Sequence, residues 1–511
     1  MKYVMSESFT FREVEMQKRS LKKIFEKLRL KLNAQIFNEI PDISVSDITS
    51  DSRRVDNGSI FVAIRGVSAD GHNFIGDAVE RGAVAVVVER SGIQNELKIP
   101  VAVVDDTHKA LVILLKDFWG EPPTKIFATT GTNGKTTVSH ILWHIFTECG
   151  EKAGVIGTLG YAFDDGIFKK LPVTTPDAES LWRLFAEMRR RNITTVAMEA
   201  SSHGIVQKRI WGIEFDAAIF TNLTQDHLDY HGNMENYLSA KCELFSSLPE
   251  SSVAVVNIDD EHSKWIIERN RGELLTYGIE NRRADIVADV EQVDIGGSGF
   301  LMRSPFGNFR IRTNLPGRFN IYNVLAAVGA ALARGYEANA TISAVGKVGV
   351  VKGRFQRIEL GQDFSVIVDY AHTPDALKNL LITAQELAGG RVILVFGAGG
   401  DRDRAKRPLM GRMADEYADF SIITSDNPRS EKPLSIIEMI EDGFYDEGKY
   451  EKIPDRREAI FAAVKMAMPG DIVLIAGKGH EDYQILGDRV IHFDDAEVAR
   501  DAIIRKLEGK L

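Results

Sequence analysis

A glycine- and threonine-rich segment, TGTNGKTT at residues 130–137, lies between the apolar run IFA and the helix-like run VSHILWHIF. Its glycines let main-chain N–H groups approach phosphate oxygens, and the helix that follows presents its positive N-terminal end. Lys135 is placed to reach the β- and γ-phosphates of a nucleotide, and Thr136 to bind Mg²⁺. Thr129 stands where the common form of this loop has its first glycine, so a plain strand-to-helix turn is the alternative. The order strand, loop, Gly-Lys-Thr-Thr and helix favours nucleotide binding.

A second polar segment, MEASSHGIVQKRI, places Glu199 at the end of a strand-like apolar run. A carboxylate at a strand end beside a phosphate loop is predicted to bind Mg²⁺, which takes oxygen ligands. The adjacent Ser202 and His203 could suggest a hydrolase, but this segment has no Gly-x-Ser-x-Gly elbow. Gln207 and Arg209 could bind an acidic substrate or form the solvated start of a helix, and the sequence leaves both open.

A third segment, QDHLDYHG, is denser in polar side chains than a simple connector requires, with Asp226, His227, Asp229 and His231 close together. We interpret His227 as a metal ligand, a common role of neutral imidazole, and His231 as a structural residue. Lys241 follows on an amphipathic helix, where the default expectation is a solvated ammonium group.

Three segments near the C-terminus, GAGGDRDRAKRPLMG, SDNPRSEKP and AGKGHEDYQ, also follow strand-like runs. Their turns carry arginines that suit two-point capture of a carboxylate or phosphate, with simple solvation as the alternative for Arg404 and Lys406. Pro428 restricts the residue before it and helps to place Arg429, and Glu481 could receive an amine. The arginines identified in this way are Arg402, Arg404, Arg407 and Arg429.

The elements that must position these segments are continuous apolar strands alternating with helices, which is typical of a parallel sheet covered on both faces. The alternation begins at KIFATTG, after the chain-breaking GEPP, and starts again after GRFQRIEL. Each polar segment follows a strand, at the edge where ligands bind in such folds. Residues 274–312 instead read as antiparallel strands at the edge of the same domain. With 511 residues, about three domains are expected.

The composition is that of an ordinary globular protein, with 44% hydrophobic and 27% charged residues. The net charge of −10 argues against a general nucleic-acid or anionic-membrane binder. Cys149 and Cys242 are far apart, which gives no structural zinc site and fits a reducing cytoplasm. No apolar run approaches the roughly 20 residues of a membrane span. The segment SLKKIFEKLRLKL is predicted to be a helix that packs Ile24, Leu28 and Leu32 on the protein, with membrane contact as the alternative.

Taken together, these segments resemble the Mur ligase family from about residue 46 to the C-terminus. The order of DSRRV, GTNGKTT, TTP, MEASSHG, DHLDYHG, GRFN, GRFQ, DYAHTPDAL, GGDRDRAKRP, DNPR and GKGHE is highly specific, although each motif alone is less so. The resemblance implies an α/β fold of three domains. These are a small N-terminal α/β domain for a UDP-sugar, a central P-loop-type ATPase with a parallel sheet, and a C-terminal doubly wound, Rossmann-like domain that brings an amino acid. The expected boundaries are 1–121, 122–354 and 355–511.

In this family ATP phosphorylates a substrate carboxylate to an acyl phosphate, and the amine of the next residue converts it to an amide, with release of ADP and phosphate. The motifs look most like members that add meso-diaminopimelate to the D-Glu γ-carboxylate of UDP-N-acetylmuramoyl-L-Ala-D-Glu in peptidoglycan synthesis. The expected protein is then a cytoplasmic monomer without nucleic-acid or membrane partners. Alternatives are an L-lysine-adding member, which Arg429 argues against, a folylpolyglutamate-type ligase, and a P-loop ATPase switch that ligates nothing.

The resemblance also implies roles for individual residues. ATP binding is expected at Gly131, Thr132, Asn133, Gly134, Lys135, Thr136, Thr137, Asn320, Arg354 and Asp369. Mg²⁺ binding is expected at Thr136, Glu199, His227 and Lys241, with a CO₂-derived carbamate on Lys241, and catalysis at Lys135, His227 and Lys241. The UDP-sugar dipeptide is expected at Ser52, Val67, Ser68, Ala69, Thr174, Thr175, Ser201, Gln207 and Arg209. The amino acid is expected at Arg402, Asp426, Asn427, Pro428, Arg429, Gly477 and Glu481.

The charges of the expected amino acid agree with this pocket. meso-Diaminopimelate has a second carboxylate and a second ammonium at its distal end, which Arg429 and Glu481 can neutralise. L-Lysine lacks that carboxylate and would leave Arg429 unpaired, so its rejection can be large. Val173 departs from the family pattern, because some relatives have Asn before the Thr-Thr pair, and one sugar or dipeptide contact is therefore expected to be missing.

Overall fold

The computed structural model describes residues 19–66, 69–89 and 97–511. These residues form two compact units, and the second and larger unit contains most of the candidate site. No helix in the described ranges is long and apolar enough to cross a membrane.

The first unit consists of the described residues within 1–125, 175–195 and 203–214. Its elements are β1 (Arg19–Ser20), α1 (Leu21–Leu32), β2 (Gln35–Phe37), β3 (Ser44–Val45), β4 (Asp47–Thr49), β5 (Ser59–Val62), α2 (Ile75–Glu80), β6 (Ala85–Val88), β7 (Val101–Val103), α3 (Thr107–Trp119) and, later in the chain, α5 (Ala178–Arg190). Strands β4 to β7 pair in parallel, and β2 joins β7 antiparallel to give the order β2-β7-β6-β5-β4. The fully buried β5 and β6 are the continuous apolar runs expected of a covered parallel sheet.

Helix α1 confirms the prediction made for the N-terminal amphipathic segment. It buries Ile24 and Leu28 together with Leu21 and Phe25, while its lysines and arginine face water. Leu32, the last residue of the helix, is only half-buried. The charged face and the buried face therefore follow the helical period of the sequence.

The second unit begins with a ten-stranded sheet in the order β10-β9-β11-β8-β12-β13-β14-β15-β16-β17. Its strands are β8 (Lys125–Thr130), β9 (Ala153–Gly157), β10 (Gly160–Ala162), β11 (Thr195–Glu199), β12 (Ala217–Phe220), β13 (Val253–Asn257), β14 (Glu273–Gly278), β15 (Ile286–Asp294), β16 (Gly297–Ser304) and β17 (Gly307–Thr313). Its helices are α4 (Lys135–Glu148), α7 (Leu228–His231), α8 (Met234–Ser246), α9 (Ser263–Arg269), α10 (Arg318–Ala333) and α11 (Ala338–Lys347). The short helix α6 (Ser202–Val206) belongs to the first unit except for its first residue. The apolar helix α10 is buried along nearly its whole length, which explains its weak amphipathic pattern.

The antiparallel edge predicted for residues 274–312 is only partly correct. Strands β15, β16 and β17 do form an antiparallel meander. Strand β14, however, continues the parallel part and pairs in parallel with both β13 and β15. The direction of β14 depends on its partners across the sheet, which its own short sequence does not specify.

The second unit also contains a six-stranded sheet in the order β18-β19-β23-β20-β21-β22. Its strands are β18 (Gln356–Ile358), β19 (Ser365–Asp369), β20 (Val392–Phe396), β21 (Phe420–Ile423), β22 (Tyr450–Lys452) and β23 (Ile472–Ala476). Its helices are α12 (Pro374–Leu387), α13 (Lys406–Tyr417), α14 (Pro433–Glu441), α15 (Arg456–Met466) and α16 (Asp495–Leu507). Alternate residues of β20 enter two different apolar clusters, so both faces of the sheet are covered.

Strand β23 departs from the simple alternation of strands and helices. It is followed by an antiparallel hairpin, β24 (Tyr483–Leu486) and β25 (Arg489–His492), before α16 begins. The sequence analysis predicted a helix after each strand of this sheet, which is wrong here. The hairpin lies next to the predicted amino-acid pocket, because Leu486 forms a parallel bridge with Arg429.

Candidate active site

The phosphate loop connects β8 to α4 and requires glycine at two positions. Gly131 and Gly134 have φ angles of 148° and 87°, which residues with side chains rarely adopt. A Cβ atom at Gly131 would lie 1.9 Å from the Thr221 hydroxyl, and one at Gly134 would lie 2.5 Å from the Asn323 amide oxygen. The main chain can therefore approach a bound anion at the start of α4, as a phosphate site demands.

The charged and hydroxyl side chains of this loop face the same space. Lys135 Nζ donates to the carbonyl oxygens of Gly131 and Thr132, at 2.9 Å each. Burial lowers the pKa of Lys135. Arg354 Nη2 donates to Thr136 Oγ1 at 3.0 Å, which brings a second cation to the loop. Two cations and a helix N-terminus at one point favour a polyphosphate ligand.

Thr221 and Asn222, directly after β12, hold the loop from the neighbouring strand. Asn222 Oδ1 accepts a hydrogen bond from Asn133 N at 2.8 Å, and its carbonyl oxygen accepts one from Thr132 N at 2.9 Å. The Thr221 hydroxyl donates to Asn133 O at 2.6 Å. The sequence analysis missed both residues, although polar side chains at a strand end were the available signal.

Glu199 lies fully buried at the end of β11. One of its oxygens accepts from the main-chain N–H of Thr158 at 2.7 Å, and the other accepts from the Thr158 hydroxyl at 2.9 Å. Thr158 also lies 3.1 Å from the hydroxyl of Thr174, a predicted substrate residue. Gly157 is required here, since a Cβ atom would lie 2.2 Å from Glu199 Oε1. Thr158 thus fixes the predicted metal-binding carboxylate, and sequence reasoning missed it.

His227 caps α7 with a φ angle of 54°, and its Nε2 lies 3.4 Å from Asp226 Oδ2. Although 45% of its side-chain surface is exposed within the cavity, the surrounding protein lowers the pKa of His227 to about 4. The imidazole is therefore neutral at ordinary pH and able to bind a metal. His231 instead contacts the Ser202 hydroxyl at 2.9 Å and is buried, a structural arrangement.

Lys241 is not the solvated ammonium that helical patterning predicted. It is 1% exposed, and its Nζ lies 4.3 Å from the centre of the Tyr237 ring. Burial, with the Lys135 charge as the next cause, holds the pKa of Lys241 well below its usual value. A buried lysine of this kind favours the neutral amine, because the protein interior solvates the ammonium poorly.

His372 and Lys406 lie beside Asp226 and His227, and sequence reasoning assigned no role to His372. His372 Nδ1 lies 2.8 Å from Tyr370 O, and its Nε2 lies 4.0 Å from Asp226 Oδ2. Lys406 Nζ donates to His372 O at 2.9 Å, so the alternative of simple solvation is wrong for this lysine. Burial lowers the pKa of both residues.

The three remaining predicted nucleotide residues, Asn320 in α10 and Arg354 and Asp369 after it, differ in what they face. Arg354 lies over the Tyr370 ring at 4.6 Å, and Asp369 accepts hydrogen bonds from the main chain at Phe355 and Ala371. The Asn320 amide is used internally, since its Nδ2 donates to Pro316 O at 2.8 Å and its Oδ1 accepts from Asn323. Asn323, one turn later, lines the cavity described next.

These side chains surround a cavity of about 600 Å³ within the second unit. A cavity of that size can hold a nucleotide or a similar polar ligand. The predicted site residues that line it are residues 131–137, Thr174, Glu199, Ser201, His227, Lys241, Arg354 and Asp369. Asp259, Asp260, Tyr277, Arg318, Phe319 and Tyr322 also line it, and the sequence analysis singled out none of them.

The predicted amino-acid pocket lies at the ends of β21 and β23. Asn427 Nδ2 donates to Glu481 Oε2 at 2.8 Å, so two of the predicted residues are joined directly. Asp426 is buried, and a Cβ atom at Gly477 would lie 2.8 Å from its Oδ2. Arg429 is half-buried and donates to Gly400 O at 2.8 Å.

Arg429 has a φ angle of 52°, unusual for a residue with a side chain. Its N–H donates to Ile485 O at 3.1 Å, and its carbonyl oxygen accepts from Gly487 N at 2.9 Å. The hairpin β24–β25 thus fastens the main chain of Arg429 on both sides. The guanidinium position is therefore determined by the hairpin as well as by Pro428.

The arginines of the GGDRDRAKRP segment do not all face a ligand. Arg407 is fully buried and binds both oxygens of Glu431, at 2.8 and 2.9 Å. Arg404 lies 3.3 Å from the same carboxylate. The prediction of carboxylate or phosphate capture is wrong for Arg407, whose partner belongs to the protein. Arg402 is exposed and stays a candidate.

The predicted UDP-sugar residues of the first unit lie on ordered turns. Arg209 donates to Gln207 Oε1 at 2.6 Å and to Thr175 O at 2.7 Å, so these three form one group. The buried Glu179 accepts hydrogen bonds from Thr49 and from Ser50, two residues before Ser52. Ala69 is exposed, and Val67 and Ser68 lie outside the described residues. Sequence reasoning missed Glu179, because a carboxylate in a helix usually faces water.

Three family models match the chain in succession. They are the Mur ligase family catalytic domain at residues 44–119, the Mur ligase middle domain at 129–331, and the Mur ligase glutamate ligase domain at 353–479. The chain belongs to the Mur ligase family. It is therefore an ATP-dependent ligase, and the predicted α/β fold class is confirmed.

Individual Mur ligases are similar to this chain in sequence over most of its length. It is 46% identical over 472 residues to the UDP-N-acetylmuramoyl-L-alanyl-D-glutamate–2,6-diaminopimelate ligase of Geobacillus thermodenitrificans, covering 91% of this chain and 95% of that relative. A ligase of the same name from Listeria monocytogenes is 45% identical over 473 residues, with the same two coverages.

A solved structure with that name is 35% identical, has a TM-score of 0.68, and covers 96% of this chain and 99% of its own. The MurF structure from Acinetobacter baumannii, with 20% identity, a TM-score of 0.64 and coverage of 91% of this chain and 96% of its own, shares the fold.

Proposed function

We propose that this Mur ligase joins meso-diaminopimelate to the D-Glu γ-carboxylate of UDP-N-acetylmuramoyl-L-Ala-D-Glu, with ATP as co-substrate. The products are the UDP-N-acetylmuramoyl tripeptide, ADP and phosphate. The names of its relatives, about 45% identical over most of the chain, support this reaction. The single observation that supports the amino acid most strongly is the presence of Arg429 and Glu481, with opposite charges, after β21 and β23, where Asn427 donates to Glu481 and the hairpin after β23 pairs with Arg429.

The first chemical step is transfer of the γ-phosphoryl group. An oxygen of the D-Glu γ-carboxylate forms a bond to the γ-phosphorus, and the bond to the β–γ bridging oxygen breaks as ADP leaves. Lys135 and Arg354 offset the negative charge that accumulates, and the main chain of the phosphate loop orients the phosphates. The result is an acyl phosphate, whose carbonyl carbon is open to attack.

The second step forms the amide. The neutral amine of the amino acid attacks the acyl carbon, loses a proton, and the tetrahedral intermediate releases phosphate as the carbon–oxygen bond breaks. Residues at the ends of β21 and β23 hold the distal end of the amino acid, so that its reacting amine is delivered in one orientation. We propose that the predicted ranges 122–354 and 355–511 divide these tasks, and that 1–121 binds the UDP-sugar.

Thr136, Glu199 and His227 would hold Mg²⁺, which when bound offsets phosphate charge. These oxygens and a neutral imidazole fit such an ion, but the Lys241 amine does not, since Mg²⁺ prefers anionic oxygen. The buried amine can add to CO₂: a nitrogen–carbon bond forms, one proton is released, and an anionic carbamate results. The burial of Lys241 and its lowered pKa support this modification, because only the neutral amine has the required electron pair.

The decisive experiment measures phosphate release with ATP, Mg²⁺ and UDP-N-acetylmuramoyl-L-Ala-D-Glu, comparing meso-diaminopimelate with L-lysine. We expect release with diaminopimelate alone. Release with lysine instead would preserve the reaction and overturn the role of Arg429. Release without any amine would contradict the ligase reaction and favour a nucleotide switch. We also propose that the enzyme acts as a cytoplasmic monomer, and sedimentation at working concentration tests the monomer.

A further inference from the structure

Lys478 is a fully buried lysine inside the predicted amino-acid pocket, and none of the roles described above uses it. It follows Gly477 at the end of β23 and lies three residues before Glu481. A fully buried ammonium is costly unless its charge and its hydrogen bonds are matched. The partners that Lys478 has found therefore indicate why it is there.

Its Nζ atom contacts two side chains that are expected to bind the substrate. It lies 3.3 Å from Glu481 Oε2 and 3.4 Å from Asn427 Oδ1, and it donates to Tyr483 O at 2.5 Å. Asn427 in turn donates to the same Glu481 Oε2 at 2.8 Å. Lys478 is thus the centre of a hydrogen-bonded group that includes both predicted residues.

The two carboxylate oxygens of Glu481 therefore differ in the hydrogen bonds that they accept. Oε2 accepts from both Asn427 and Lys478. Oε1 accepts no hydrogen bond from any residue in the described part of the chain. The side chain is 16% exposed, so Oε1 is open to a ligand. An ammonium group is the ligand that such a half-satisfied carboxylate prefers.

The surrounding charges make Lys478 necessary for this arrangement. Burial and the nearby Asp426 charge raise the pKa of Glu481, while Lys478 acts in the opposite direction. Without the lysine, the buried Asp426 would act unopposed on the half-buried Glu481, and Glu481 would hold its charge less readily. Arg456 cannot replace it, because both oxygens of Asp495 engage that guanidinium.

We propose that Lys478 is a positioning residue that holds Glu481 Oε2, so that Oε1 is presented to the distal ammonium of the amino-acid substrate. This inference rests on the proposed function. It predicts that Lys478 contributes to the choice between amino acids that have that ammonium and those that lack it. Lys478 itself does not contact the substrate, since its three donors are directed to protein atoms.

The test compares meso-diaminopimelate with L-2-aminopimelate, which keeps the reacting amine and both carboxylates but lacks the distal ammonium. For the wild type and Lys478→Met, kcat/KM is measured with each amine at saturating ATP and UDP-sugar dipeptide. We expect the preference for diaminopimelate to fall about tenfold or more, as when a hydrogen bond to a charged group is lost. The KM for ATP should stay unchanged.

The matched control is Lys506→Met, which changes a lysine on a helix of the same six-stranded sheet. Lys506 Nζ also donates to main-chain carbonyls, those of Val464, Lys465 and Ala467. It lies on α16 and has no hydrogen bond to Glu481 among the described residues. This variant should lose stability and keep the preference. An equal fall in both variants would show that the effect is structural and would overturn the proposal.

Two further variants cover the case in which Lys478→Met does not fold, and test whether Lys478 acts through Glu481. Lys478→Gln retains an N–H donor and should fold if the methionine variant does not, with a smaller fall in preference. In a Glu481→Gln background, Lys478→Met should change the preference little further, since the two residues act through one group. An unchanged preference in Lys478→Gln, or full additivity, would refute the inference. Absence of diaminopimelate-dependent phosphate release by the wild type would instead refute the proposed function.

Discussion

The buried ion pair between Arg456 and Asp495 gives the most direct stability prediction. Both side chains are 0% exposed, and the guanidinium binds both carboxylate oxygens at 2.7 Å. The same guanidinium donates to Ser425 O and Ala476 O, at 3.3 and 3.0 Å, the residues directly before Asp426 and Gly477. The pair therefore joins α15 and α16 to the two strand ends that carry the predicted amino-acid pocket.

Arg456→Met removes the charge but keeps much of the side-chain volume. It leaves Asp495 buried without a partner and takes the donors from two carbonyl oxygens. Breaking a buried pair in this way costs about 3–5 kcal/mol of unfolding free energy. The next residue supplies the control, because Arg457 pairs with Asp501 on the surface. Arg457→Met should cost no more than about 1 kcal/mol.

Urea unfolding of the wild type and both variants measures the two costs, and the KM for diaminopimelate reports on the pocket. We expect Arg456→Met to lose stability and also to raise that KM. The double variant Arg456→Met/Asp495→Leu should recover part of the stability, because the unpaired buried carboxylate is removed while the two carbonyl oxygens still lack their donor. Equal losses in Arg456→Met and Arg457→Met, or no recovery in the double variant, would refute the reasoning.

Three further predictions concern single groups. Arg429→Ala should raise the KM for diaminopimelate about tenfold or more and leave the KM for ATP unchanged, and an equal rise in both would contradict its assignment. Lys241→Ala should be nearly inactive in phosphate release and partly restored by a small added carboxylate, whereas normal activity would exclude the carbamate. The hydrogen bonds from Arg407 lower the pKa of Glu431 to about 2, from an ordinary value of 4.5. The stability this adds is complete above about pH 4.5 and is lost as the pH falls towards 2. The stability deficit of Glu431→Gln should therefore shrink over that interval in unfolding experiments, and a constant deficit would argue against it.

Local chemistry explains what could be predicted from the sequence. The phosphate loop is encoded within eight residues, because its glycines, lysine and threonine act through neighbouring main chain. The strands β20 and β23 are continuous apolar runs, so their burial on both faces followed from pattern. The position of Arg429 was likewise suggested by the proline that precedes it.

The remaining features depend on residues that are distant in the chain. Lys241 lies on a helix whose pattern predicts exposure, and Arg407 was expected on a turn that captures a ligand, yet both are buried. Thr158 became recognisable only once the strands were placed side by side, because its partner Glu199 lies on a neighbouring strand. The hairpin β24–β25 followed a strand where alternation predicted a helix, and its pairing with Arg429 spans more than 50 residues.

The attachment of Arg429 to that hairpin has a mechanical consequence. Both its N–H and its carbonyl oxygen are hydrogen-bonded to the hairpin. The turn is therefore held as rigidly as a strand in a sheet and moves less than a free loop. If Arg429 binds the distal carboxylate as proposed, an amino acid shorter than diaminopimelate meets an arginine whose main chain cannot advance to close the gap. The pocket would then be selective because it is rigid, and it would accept a narrower range of amino acids. A descendant that accepted a smaller amino acid would have to rebuild the hairpin as well as replace the arginine.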